Sequence, residues 1–140
     1  MTGREYFEDL RLKKNSLSYL ERRIAELREM STSLGKFAYD DPVVQTSHDA
    51  NHYEQMIAEL VDLSAEYEKM RQECAKACAI ADVRLMQMTK DEYARVLRWR
   101  FLEKKRHSWG WISDEMGFSE DRVKHMCGEA LEEFERRWLL

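Results

Sequence analysis

Apolar residues between Tyr53 and Met88 recur at intervals of seven, in two parallel columns. Heptad spacing of this kind places both columns along one side of an α-helix, and a partner helix has to cover that side. The pattern therefore commits a long stretch of the chain to one helix and requires a second helix beside it. The first column contains Tyr53, Leu60, Tyr67, Cys74, Ala81 and Met88, and the second contains Met56, Leu63, Met70 and Ala77 before Arg84 interrupts it.

A less regular seam of apolar residues runs from Tyr6 to Leu34 and supplies that partner. Gly35 and Pro42 mark its end, because Gly commonly terminates helices and Pro disfavours helix in the residue before it. We predict that residues 1–89 form a helical hairpin or coiled coil with a loop from about residue 35 to residue 48. The seam contains Leu10, Leu17, Leu20, Ile24, Leu27 and Leu34, with Lys13 and Met30 at intervening positions.

Two long helices bury only one stripe each, so this region needs further partners, and self-association is the simplest source of them. We expect a homo-oligomer, with a dimer as the first expectation.

The composition supports an all-α protein, since the 140 residues include one Pro and five Gly. No apolar run approaches the roughly 20 residues that span a bilayer, and no signal peptide is recognisable. We therefore expect a cytoplasmic protein that makes no membrane contact.

The cysteine and histidine spacings do not complete a metal site. Cys74 and Cys78 are one helical turn apart, but neither a histidine nor a second cysteine pair accompanies them, and Cys127 is remote. His48 and His52 are four residues apart and lack a third ligand. The sequence also lacks a glycine-rich phosphate loop and a recognisable nucleophile signature. We expect no metal, no cofactor and no enzymatic activity.

The stretch from Ser108 to Met126 has the pattern of two helices joined by a tight turn. Ser108 and Ser119 are suited to cap the two helix starts, and Gly117 is suited to the left-handed conformation that ends the first helix. Upstream, Thr89-Lys-Asp-Glu92 is a capping box for a helix that starts at Lys90. The apolar residues expected to clamp the two helices together are Ile112, Met116, Phe118, Val123 and Met126, and those of the upstream helix are Tyr93, Val96, Leu97, Phe101 and Leu102.

These segments together resemble the helix-turn-helix of bacterial sigma factor region 4. The resemblance is carried by Tyr93-Ala-Arg-Val-Leu-Arg-Trp-Arg-Phe101, by Trp109-Gly-Trp-Ile-Ser-Asp-Glu-Met-Gly-Phe-Ser119, and by Val123 and Ala130-Leu131. With the N-terminal coiled coil, the chain is similar to small phage and prophage regulators. It departs from the family at Ser113, where Ala is usual, and at Glu120 and Asp121, where related domains more often carry Arg, Lys, Thr or a single acid. The resemblance implies a three-helix C-terminal domain at residues 90–140.

Such a domain is expected to bind double-stranded DNA. In a helix-turn-helix, the second helix enters the major groove and the first lies on the phosphate backbone. Glu120 and Asp121 have two open roles, because a carboxylate can accept from cytosine and can also stabilise a helix N-terminus. The residues expected to face the groove are Glu120, Asp121, Arg122, Lys124, His125 and Gly128, and the candidates for phosphate contact are Arg98, Arg100, Lys104, Lys105, Arg106 and Ser108.

Positive charge is local in this sequence. Residues 90–140 carry 11 Lys and Arg against 11 Asp and Glu, so a domain-wide basic signature is absent, but Arg95 to Arg106 holds six basic residues and one acid.

Three functions stay open: a phage-type transcription regulator that binds DNA and acts with host RNA polymerase, a module that binds polymerase or another host protein without DNA contact, and a DNA-packaging recognition subunit of the small terminase type. Trp109 and Trp111 cannot both face one core, and an exposed Trp suits a protein contact as well as DNA.

Overall fold

All secondary-structure elements in the described part of the chain are helices. The computed structural model describes residues 1–40 and 47–140, with side chains for 1–33 and 51–140. These residues contain no strand, which confirms the all-α prediction. The helices are α1 (Gly3–Asp40), α2 (Ser47–Met86), α3 (Asp91–Leu97), α4 (Trp109–Met116) and α5 (Glu120–Phe134), and π-helical segments at Arg98–Leu102 and Glu135–Leu139 extend α3 and α5. No helix in the described ranges is long and apolar enough to cross a membrane.

Helix α1 extends further than its sequence pattern predicted. The predicted stop at Gly35 is wrong, because α1 continues to Asp40. A single Gly costs roughly 1 kcal/mol in a helix interior, which a long helix tolerates. Helix α2 already begins at Ser47, inside the predicted loop. The part of that loop from 41 to 46 lies outside the described residues.

The start of α3 also differs from its prediction. The first helical residue is Asp91, and its cap residue Lys90 makes no side-chain capping bond. Thr89, which was predicted to cap the helix, instead donates its hydroxyl hydrogen to the buried carboxylate of Glu133. A buried carboxylate needs hydrogen-bond donors, and this requirement outweighed the local capping pattern.

Two compact units divide the chain: one comprises Met1–Lys14 and Cys74–Leu140, and the other comprises Asn15–Glu73. The first unit is larger than the predicted domain at 90–140, because the start of α1 and the end of α2 belong to the same core as the C-terminal helices. The buried members from these two helices are Phe7, Leu10, Ala81, Leu85 and Met88. Residues predicted to lie on the hairpin therefore help to form the C-terminal core.

Phe7 occupies the centre of the core of the first unit. Its ring centroid lies 5.5 Å from that of Phe101 and 4.7 Å from that of Phe134, and its side chain is fully buried. Gly3 permits this packing, since a β-carbon there would lie 2.6 Å from the Leu131 carbonyl oxygen. The start of α1 is thus fitted closely against the end of α5.

In the second unit, α1 and α2 pair in opposite directions. Arg23 forms an ion pair with Glu59 at 3.3 Å, while Ser33, later on α1, lies near Met56, earlier on α2. Ile24, Leu27 and Met56 are buried along this pairing.

Two seam assignments on α1 are wrong. Met30 is 46% exposed, and Lys13 is exposed in an ion pair with Asp9 at 3.5 Å. The buried positions at the start of α1 are instead Phe7, Leu10 and the partly buried Lys14. The buried stripe therefore includes Lys14 in place of the predicted Lys13.

Candidate nucleic-acid interface

Helices α4 and α5 are joined by a turn whose cap residues were all predicted. Ser108 Oγ accepts a hydrogen bond from the Trp111 amide at 3.1 Å, and Ser119 Oγ accepts one from the Arg122 amide at 3.2 Å. Gly117 has φ 73°, the left-handed conformation that a residue without a β-carbon adopts at little cost. These local predictions are confirmed.

Ser113 forms hydrogen bonds across this turn. Its carbonyl oxygen accepts from the amides of Gly117 at 2.9 Å and Phe118 at 3.3 Å, which combines the bond of an αL cap with one of the two bonds of a Schellman motif. Its hydroxyl donates to the Phe118 carbonyl oxygen. A serine where the resembling family usually has alanine therefore adds a hydrogen bond across the turn.

The two helices pack through buried apolar side chains and leave one side of α5 in solvent. Ile112 on α4 and Val123 on α5 are fully buried, and the apolar side of α5 continues through Met126, Cys127, Ala130 and Leu131. Five of the six residues predicted to face a DNA groove are exposed and Gly128 is half-buried; the exposed ones are Glu120, Asp121, Arg122, Lys124 and His125.

The exposed acids at the start of α5 do not have equivalent positions. A β-carbon added at Gly110 would lie 3.1 Å from Glu120 Oε1, so this carboxylate lies beside the first turn of α4. A negative charge there is favoured by the positive end of the α4 dipole. This geometry favours the electrostatic role for Glu120 over base reading. Asp121 makes no hydrogen bond or ion pair with any described residue.

Two of the basic residues on α5 contact the protein itself. The Arg122 guanidinium carbon lies 4.0 Å from the centroid of the Phe118 ring. His125 Nε2 lies 2.9 Å from Glu129 Oε1, and Glu129 also accepts from the Tyr93 hydroxyl at 2.5 Å. The Tyr93 hydrogen bond lowers the pKa of Glu129, and the same bond raises the pKa of Tyr93 to about 12. A hydrogen-bonded chain therefore links the exposed side of α5 to α3.

The candidates for phosphate contact fall into two groups. Arg98 pairs with Asp82 at 2.9 Å, Arg100 donates to the His107 carbonyl oxygen at 2.8 Å, and Arg106 donates to Glu8 at 2.6 Å. In contrast, Lys104 and Lys105 are exposed and form no ion pair with a described side chain. Ser108 is exposed but its Oγ is engaged as a helix cap.

The two tryptophans of α4 differ in burial, as predicted. Trp109 is partly buried against the core, with the Arg100 guanidinium carbon 4.2 Å from its ring centroid. Trp111 is 37% exposed and stacks on His107 with centroids 3.7 Å apart. An aromatic surface therefore lies at the start of α4.

Acidic residues limit the positive character of this surface. Asp114 and Glu115 are exposed on α4, and Asp121 is exposed on α5. Basic residues instead concentrate before α4, where Lys104 and Lys105 precede Ser108. The loop before α4 is thus positive, whereas acidic side chains lie beside α4, starting with Glu120 at its first turn.

Arg11 is a residue that sequence reasoning missed. It lies on α1, yet its Nη1 is within 3.4 Å of the carbonyl oxygens of Phe101 and Glu103, which are about ninety positions away. No local pattern distinguishes Arg11 from the other charged residues on α1. Only the tertiary packing around Phe7 brings it beside the loop that precedes α4.

The three cysteines are free thiols, of which Cys74 and Cys127 are buried and Cys78 is partly buried. Cys74 Sγ and Cys78 Sγ are 3.9 Å apart, and burial raises the pKa of Cys78. Burial also raises the pKa of Cys127, to about 11. No group of three or more potential metal ligands occurs among the described residues.

Comparison of the chain with protein families, curated proteins and solved structures finds no significant match. The geometry around α4 and α5 is therefore the basis for assigning a function.

Proposed function

We propose that this chain is a DNA-binding transcription regulator of the phage or prophage type, in which α4 and α5 form a helix-turn-helix. The observation that carries the proposal is the turn at Gly117, which joins two capped helices over the buried side chains of Ile112 and Val123 and leaves one side of α5 exposed. In this arrangement α5 is the recognition helix and enters the major groove by its first turns.

Arg122 and Lys124 are the proposed base-reading residues. Both are exposed on the first turns of α5, and their donors suit the O6 and N7 acceptors of guanine. Asp121 is free to accept from a cytosine amino group, whereas Glu120 is assigned to the start of α4. His125 and Gly128 complete the surface that faces the groove.

Lys104 and Lys105 are the proposed phosphate contacts. They immediately precede the capped start of α4, which in a helix-turn-helix lies against the DNA backbone. Their charges have no partner among the described side chains, so DNA binding does not require an ion pair to break first.

A dimer is the proposed assembly. Val61, on α2 in the second unit, and Ile80, Val83 and Met86, on α2 in the first unit, are each more than half exposed. A second chain would cover the apolar side chains of the first unit, Ile80, Val83 and Met86, and two copies would present two recognition helices to a two-fold symmetric site. Host RNA polymerase is the further partner that the sigma-factor resemblance implies.

A protein-interaction module without DNA contact is the second candidate. It is favoured by the exposed acids Asp114, Glu115 and Asp121 near the turn, which repel DNA phosphates. Trp111 would then be the anchor residue, since exposed tryptophans are enriched at binding hot spots.

Substitutions in the two groups of basic residues separate these candidates. Lys124→Ala should relax the preference for particular base pairs by about 1–3 kcal/mol for each lost bidentate contact. Lys104→Ala should instead weaken binding to all sequences and reduce the slope of log affinity against log salt by about 0.9. Lys69→Ala, a matched change at an exposed position on α2, should alter neither quantity.

Fluorescence anisotropy of labelled duplexes at several salt concentrations measures both effects. A wild-type protein that binds no duplex at low salt, but is retained by purified RNA polymerase, would exclude the DNA-binding function and favour the interaction module.

A further inference from the structure

Three arginines from separate parts of the chain lie near Glu8 in the first unit, and one of them, Arg106, contacts its carboxylate. Arg11 lies on α1, Arg100 in the π-helical segment after α3, and Arg106 in the loop before α4. Arg106 Nη2 donates to Glu8 Oε1 at 2.6 Å, and this is the only ion pair that the three arginines form with described side chains. The cluster therefore holds more positive charge than its single carboxylate neutralises.

Most N–H donors of these arginines have no partner among the described residues. Arg11 uses only Nη1, with long contacts of 3.4 Å to two carbonyl oxygens, and Arg100 uses only Nη1, at 2.8 Å. Arg106 Nε is buried without any partner and is closed to a ligand. The remaining unpaired N–H donors of the three guanidinium groups give the cluster capacity for a ligand that accepts several hydrogen bonds.

The arginines are held together against their mutual repulsion. Burial lowers the pKa of Arg11, and the positive charge of Arg106 lowers it further. Burial is also the larger cause of the lowered pKa of Arg100, and the charge of Arg106 is the second cause. Packing of α1 through the buried Phe7 holds Arg11 in place, and the ion pair with Glu8 also holds Arg106. An anion would relieve this repulsion.

We propose that Arg11, Arg100 and Arg106 form a phosphate-binding site that holds the DNA backbone beside the start of α4. The site rests on the proposed function and extends the DNA interface to helix α1. A phosphodiester is the fitting ligand because guanidinium groups bind its oxygens through paired N–H bonds. Lys104 and Lys105 flank the site in sequence.

Arg11→Gln tests the site, because no other proposed DNA contact lies on α1. Arg22→Gln is the matched control, since Arg22 is exposed on the same helix in the second unit. Arg11→Gln should weaken binding to all duplexes and reduce the salt slope by about 0.9. Between 50 and 200 mM salt, the variant should therefore lose about threefold less affinity than the wild type. Arg22→Gln should retain the wild-type slope.

An unchanged slope in Arg11→Gln, together with a reduced slope in Lys104→Ala, would overturn the arginine site and leave the DNA-binding function standing. A wild-type protein that binds no duplex at any salt concentration would overturn both.

Nuclear magnetic resonance of the wild-type protein tests the same site without a substitution that could disturb folding. The side-chain Nε–Hε signals of Arg11, Arg100 and Arg106 should shift when duplex DNA is added, and that of Arg22 should not. Signals of the three arginines that stay in place at saturation would contradict the proposal. Shifts produced by an acidic peptide and not by DNA would identify a protein carboxylate as the ligand and overturn it as well.

Discussion

Replacement of Gly117 by Ala isolates the energy of the left-handed turn between α4 and α5. A β-carbon at Gly117 would have no heavy atom within 4 Å, so the substitution introduces no clash. Its cost comes from the backbone alone, because φ is 73° and the left-handed conformation costs an L-residue about 1–2 kcal/mol. We expect Gly117→Ala to destabilise the first unit by that amount. Gly117→Asn should cost less, since Asn visits this conformation more readily.

Gly128→Ala is a control for which we expect the opposite change in stability. A β-carbon there also has no neighbour within 4 Å, but Gly128 lies within α5. Gly128→Ala should therefore stabilise the same unit by roughly 0.5–1 kcal/mol, because Ala loses less conformational freedom than Gly in a helix.

Urea denaturation followed by tryptophan fluorescence reports on this unit, since all four tryptophans lie within Cys74–Leu140. A change of about 1 kcal/mol moves the midpoint by roughly 0.3–1 M urea. Equal midpoints for Gly117→Ala and the wild type would refute the reasoning, as would an Asn variant no more stable than the Ala variant.

Two further predictions concern the core and its hydrogen-bonded chain. Gly3→Ala should destabilise the first unit by about 1–3 kcal/mol, because its β-carbon would lie 2.6 Å from the Leu131 carbonyl oxygen, and a melting temperature equal to that of the wild type would contradict this close contact. The pKa of Tyr93 is raised to about 12, so its hydrogen bond to Glu129 should stabilise the fold fully below about pH 10 and lose that effect as the pH rises to 12. Tyr93→Phe should remove this alkaline loss in denaturation measured between pH 9 and 12, and an unchanged pH profile would show that the bond does not couple to folding.

Local features of the turn could be predicted from the sequence because their causes are local. Ser108, Gly117 and Ser119 each act on amides or backbone angles within a few residues, and all three have the predicted conformation. The buried stripe from Tyr93 to Leu102 could be predicted equally well, since its spacing alone specifies one side of a helix.

Features that depend on distant packing could not be predicted in this way. Phe7 and Leu85 belong to the core of the first unit, but nothing adjacent to them in sequence specifies that core. The pattern at Thr89 predicted a cap, whereas the structure uses its hydroxyl for Glu133, more than forty positions away. For the same reason, Arg11 beside the loop before α4 became visible only in three dimensions.

Selection of binding sites from a pool of random DNA duplexes tests the central claim most directly, because it requires α5 to read bases. The wild-type protein should enrich a two-fold symmetric sequence whose half-sites are about 10 base pairs apart, or a multiple of one helical turn. Lys124→Ala should lose the preference at defined positions within each half-site, while Lys69→Ala should enrich the wild-type sequence. A pool that stays random after selection at low salt would contradict the assignment of α5 as a recognition helix.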